Sequence, residues 1–175
     1  MPIKSFQLPA DVKRKVKRKI SELLKKNILH FLPDDSNLYE PGFCMSVQIV
    51  PKRQVQSLKF GKPEGFRVLI QHASSVLAAI DFIHSNNRLI STAIHQGKGL
   101  QSILAALNKL EKKYEKSRED YHVELIYFLL APGTYFKVSS GKRVTYFQYK
   151  ERLTTTSAAQ LQKLIMTIIN HHQNN

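Results

Sequence analysis

The residues best suited to chemistry in this chain are cations. Arg14, Lys15, Arg18, Lys19, Lys25 and Lys26 recur at helical spacing and occupy one face of a segment expected to run as a helix over residues 10–32. What they offer is attraction of a polyanion: a row of Lys and Arg lies along phosphates and displaces condensed counterions. The same face suits anionic lipid, or is simply solvated, because Lys and Arg are good helix formers. Residues 1–32 hold nine Lys/Arg against two Asp/Glu, half of the chain's net charge of +14. Further cations stand in a polar connection over 51–65, at Lys52, Arg53, Lys59 and Lys62, and at a tight turn, at Lys142 and Arg143. These twelve side chains form the expected nucleic-acid-binding set.

Groups for acid–base, nucleophilic or metal chemistry are sparse. Asp81 and His84 stand three apart on an expected helix and would be neighbours there. His122 and Glu124 would share one face of a strand. Neither pair repeats in a metal-ligand pattern, and ordinary core or surface histidines are the simpler reading; no cofactor and no metal are expected. Two-metal nuclease chemistry needs clustered carboxylates, and the 13 acids are scattered. Cys44 is the single cysteine, which excludes an internal disulfide and a cysteine-based metal cluster and reads as a buried thiol. Gly97-Lys98-Gly99 precedes a helix and could bring backbone N–H groups to an anion, but the full phosphate-loop spacing is missing. Aromatics interleave with cations from Tyr135 to Arg152, which suits base stacking or, more simply, the β-propensity of aromatic side chains.

The elements that must position these groups follow from periodicity. On the first helix Val12, Val16, Ile20, Leu23, Leu24, Ile28 and Phe31 share one arc, with the first turn expected to be less buried than the last two and Pro33 as the stop. Pro9 suits the first helical position. Residues 43–50 and 66–72 read as strands, and 121–130 as a buried central strand. Residues 74–84 read as a short helix, 88–96 as helix or strand, and 100–117 as the clearest amphipathic helix. A hairpin is expected over 134–149 around Ser139-Ser140-Gly141-Lys142. Ser157-Ala-Ala-Gln160 matches a capping box and opens a last helix, with a frayed tail at 170–175.

The expected architecture is a single α+β domain over 1–175. A mainly antiparallel sheet of about four to five strands would be packed by the N-terminal basic helix, a central helix pair and a C-terminal helix. With pI near 9.9, nucleic acid (DNA or RNA) or an acidic protein is the expected partner, and membrane insertion is not, since no apolar run approaches the roughly 20 residues that span a bilayer. No signal peptide is visible, and a cytoplasmic or nuclear location is expected. The first functional reading is a non-enzymatic domain that binds nucleic acid through the phosphate backbone with low sequence specificity, alone or within a larger assembly. The second is an interaction subunit, adaptor or chaperone-like factor whose basic face docks an acidic partner. The third is a nucleic-acid-processing enzyme using Asp81, His84, His122 or Glu124.

Overall fold

The computed structural model describes residues 3–30, 32, 40–51, 54–55, 63–72, 75–85, 88–129 and 131–173, with backbone alone at 40, 72, 132, 172 and 173. In chain order the elements are β1 (Ile3–Lys4), α1 (Ala10–Lys25), β2 (Glu40–Val50), β3 (Gly65–His72), β4 (Ser75–Ser85), β5 (Arg88–His95), α2 (Gly97–Tyr114), β6 (Tyr121–Phe128), β7 (Ala131–Ser140), β8 (Arg143–Tyr149), β9 (Leu153–Thr156) and α3 (Ala158–Gln173). All nine strands join one sheet in the order β5-β4-β3-β2-β6-β7-β8-β9, with β1 pairing alongside the start of β6. Two antiparallel meanders, β2 to β5 and β6 to β9, meet at a parallel seam in which Ser46 faces Glu124 and Val50 faces Phe128.

This corrects the expectation of four to five mainly antiparallel strands: among the described residues there are nine, and the central pairing is parallel. The segment expected as a helix over 74–84 is β4, so the expected central helix pair is one helix, α2, and residues 88–95 resolve as strand β5. The cause is burial on both faces. Ala78, Ile80 and Phe82 pack under α1, while Ala79 packs under α2. A strand covered on both sides shows no apolar–polar alternation, and its Leu and Ala residues mimic a helical composition.

Helix α1 and helix α3 cover one face of the sheet and α2 covers the other. On α1, Val12, Val16, Ile20 and Leu23 are buried, so the first turn is as deeply packed as the last. Each such side chain contributes on the order of 1.5–3 kcal/mol through burial. The helix ends at Lys25 rather than near residue 32. Asn27 takes the left-handed conformation (φ 55°), and its N–H donates to the Leu24 carbonyl while that of Ile28 donates to the Leu23 carbonyl. That pair of bonds closes the helix six residues before Pro33. At the other end Pro9 stands just before the helix, its carbonyl accepting from Lys13 N–H at 2.9 Å. The capping box at α3 is present: Gln160 N–H donates to Ser157 Oγ, and Ser157 N–H donates to Gln160 Oε1. Among the described residues no helix is long and apolar enough to cross a membrane.

On the α2 face a buried polar group interrupts the apolar core. Arg67, fully buried in β3, donates from Nε to Asp81 Oδ1 at 2.6 Å and from Nη2 to Asp81 Oδ2 at 2.8 Å. Asp81 is its direct cross-strand neighbour in β4. Arg67 also donates to the Tyr127 hydroxyl, and His95 Nε2 lies 2.9 Å from Asp81 Oδ2. The rings of His95 and Tyr127 stack with centroids 6.5 Å apart. Their strands, β5 and β6, stand four places apart in the sheet, which is about 19 Å if the sheet were flat. The sheet therefore curls towards α2, drawing edge strand β5 inward over the guanidinium.

Burial works against ionisation of the Asp81 carboxyl, but hydrogen bonds from Arg67 and then His95 outweigh it and hold its pKa below the ordinary 3.8. Asp81→Leu, which strands a buried guanidinium, should cost about 3–5 kcal/mol in a urea titration, and adding Arg67→Met should recover most of that loss. Because the folded pKa lies below the unfolded value, this stabilisation is complete above about pH 4 and is lost as the pH falls through the lower folded value. The acid limb of the pH–stability curve should therefore flatten in the double variant.

Candidate nucleic-acid interface

With its apolar arc pressed on the sheet, α1 turns its charged residues outward in two strips. One strip carries Lys15, Arg18, Lys19 and Glu22 and faces Arg88 and Leu89 at the start of β5, across an open cleft of about 320 Å³. The cleft holds four cations and one acid. Lys19 Nζ and Arg18 Nε donate to Glu22 at 3.0 and 3.3 Å, and these hydrogen bonds, Lys19 first, lower the Glu22 pKa. Lys15 stands 3.9 Å from Asp11. Arg88 has no ion pair among the described residues, and the same holds for Arg14 and Lys25 on α1 and for Lys26 just past its end, all three exposed. Exposed pairs of this kind are worth little to stability and exchange readily for a phosphate partner.

Of the twelve expected site residues, Lys15, Arg18 and Lys19 converge in this cleft, and Arg14, Lys25 and Lys26 extend the cationic strip along the helix. Lys52, Arg53, Lys59 and Lys62 lie outside the described residues. Of their connection, Val55 is buried against α3, and its carbonyl accepts from Gln162 Nε2 at 2.9 Å. Lys142 and Arg143 stand exposed at the β7–β8 turn, Arg143 paired with Glu119 at 3.4 Å, and they do not line the cleft. Arg88 was not singled out from the sequence. Its signal was weak, a lone cation after Asn86-Asn87, and gains meaning only once β4 and β5 form a hairpin beneath α1.

The aromatic–cation interleaving of the hairpin is mostly core. Tyr135, Phe136 and Phe147 are fully buried, and Lys109 and Lys113 of α2 sit 5.5 and 5.8 Å from the ring centroids of Tyr149 and Phe147. Asp81 and His84 point to opposite faces of β4, so they are not partners; Asp81 instead joins Arg67 and His95. His122 and Glu124 do share a face of β6, and Glu124 pairs with Lys137 at 2.7 Å. Among the described residues no three His, Cys, Asp or Glu side chains are grouped to hold a metal. Gly97 opens α2 in a left-handed conformation (φ 62°), with Lys98 exposed beside it. Comparisons with protein-family models, with curated proteins and with solved structures find no match.

Cys44 is buried in β2, and desolvation pushes its thiol up to about 11. Roughly one molecule in a thousand would carry the thiolate at pH 8. Iodoacetamide should therefore label the folded protein far more slowly than the urea-unfolded chain at that pH. Equal rates would mean that the thiol is accessible and ionised in the folded state.

Proposed function

We propose that this protein binds nucleic acid through the phosphate backbone, with α1 and the start of β5 as the contact surface. The observation that carries the reading is the cleft in which Lys15, Arg18, Lys19 and Arg88 stand against the single carboxylate of Glu22. Two elements distant in sequence supply cations to one concave strip, which is what a charged chain requires and what a merely solvated helix face does not need. Helix α1 has 16 residues and is about 24 Å long, a distance over which one strand of B-form DNA carries about seven phosphates. Phosphate contacts position a polymer without reading bases, so the domain binds with low sequence specificity. A cytoplasmic or nuclear location belongs to the same proposal.

Docking of an acidic protein is less well supported. Such an interface is usually marked by a contiguous exposed apolar patch. The large exposed apolar side chains among the described residues are Phe6, Ile28, Ile90, Leu129 and Val144, and none of them lines the Arg88 cleft.

The test is fluorescence anisotropy with labelled DNA and RNA oligonucleotides over a salt series. Replacing Lys15, Arg18 and Arg88 together by Gln should weaken binding more than tenfold at physiological salt. It should also reduce the log–log salt slope by about 2–3, since each lost phosphate contact removes about 0.7–0.9. Thermal unfolding should stay close to that of the parent protein. A triple variant that binds like the parent would place the polyanion elsewhere.

A further inference from the structure

A second cleft, of about 390 Å³, lies on the opposite flank of α1. Lys13 and Lys17 form one wall; Ser5, Phe6, Gln7 and Leu8 form another, and Pro41, Gly42 and Cys44 of β2 close it. Phe6 keeps 43 % of its surface exposed here. Its place is nevertheless fixed. Phe6 N–H donates to the Cys44 carbonyl at 2.7 Å, Cys44 N–H donates to Ser5 Oγ at 2.8 Å, and the ring leans on Phe66 with centroids 6.3 Å apart. Lys13 and Lys17 stand one helical turn apart. The ion pairs of α1 among the described residues involve Lys15, Arg18 and Lys19, and no acid stands among the described residues that line this cleft beside Lys13 and Lys17. Like charges at this spacing repel and disfavour the helix slightly, so an anion between them would be stabilised.

An anchored aromatic face beside two cations that have no ion pair among the described residues is the pairing that single-stranded nucleic acid needs: a π surface for the base and positive charge for the phosphates on either side. A duplex offers no such base face, because its bases are stacked on both sides. The cleft volume falls within the roughly 300–1,000 Å³ of small-ligand sites. Only the width of α1, about 10–12 Å with side chains, separates it from the Arg88 cleft. We infer that this cleft is a base subsite in which Phe6 stacks an unpaired base while Lys13 and Lys17 hold its flanking phosphates, giving the protein a preference for single strands. The inference rests on the reading of α1 as a phosphate-binding surface.

Two variants test it. Phe6→Ala should weaken binding of an unpaired oligonucleotide roughly 5- to 100-fold, leaving a duplex and an abasic strand of the same length bound as before. The chain contains no tryptophan, so Phe6→Trp installs a single indole reporter. Its fluorescence should be quenched by the base-bearing strand and not by the abasic one. The inference is overturned if Phe6→Ala changes no affinity, if it weakens all three polymers alike, or if both strands quench the indole equally. Should the unaltered protein bind none of the three, the phosphate-binding reading itself fails, and the base subsite fails with it.

Discussion

A guanidinium buried in the middle of a nine-stranded sheet fixes how the first half of this protein is arranged. Arg67 cannot be taken out of water without a carboxylate, because an unpaired buried charge costs several kcal/mol. Asp81 supplies that carboxylate from the neighbouring strand, with two hydrogen bonds. The requirement sets register. A one-residue slip of β3 would turn Arg67 towards the apolar underside of α1, where Val68 and Ile70 now sit. It also goes with the shape, since the rings of His95 and Tyr127, four strands apart, come together only where the sheet curls across the α2 face.

The consequences reach the opposite face. The hairpin of β4 and β5 carries Leu89 and Ile94 into the core beneath α1. Arg88, at the start of β5 opposite Ser85, thereby comes level with Lys15, Arg18 and Lys19. The parallel seam of β2 and β6 gives this half a rigid partner, and α2, α3 and the second meander extend the sheet without entering the cleft. The polar network is thus structural, and the function proposed for the protein lies on the surface that the network positions.

How much of this is legible in the sequence depends on whether the signal is local. The cations of α1 were readable because the 3.6-residue period that buries Val12, Val16, Ile20 and Leu23 leaves the basic residues outward. The capping box at Ser157 was readable because both partners lie within four residues. The stop at Asn27 was not, because it rests on a left-handed backbone that Asn tolerates but does not announce. Strand β4 was missed because burial on both faces erases the period of two. Arg67 did leave a trace: a charge within Phe66-Arg67-Val68-Leu69-Ile70 demands a partner somewhere. Its partners, though, lie 14, 28 and 60 residues away. Phe6 carried no signal, since its position depends on where β2 places Cys44.

The measurement that tests the central claim most directly is a map of where an oligonucleotide touches the protein. Backbone amide chemical shifts would be recorded by NMR as unlabelled single-stranded DNA is added at low salt. The account predicts shifts concentrated on residues 5–8, 13–26 and 88–89, reversed by raising the salt. A protein whose amides do not move, or whose shifts gather at the β7–β8 turn and leave α1 undisturbed, would contradict it.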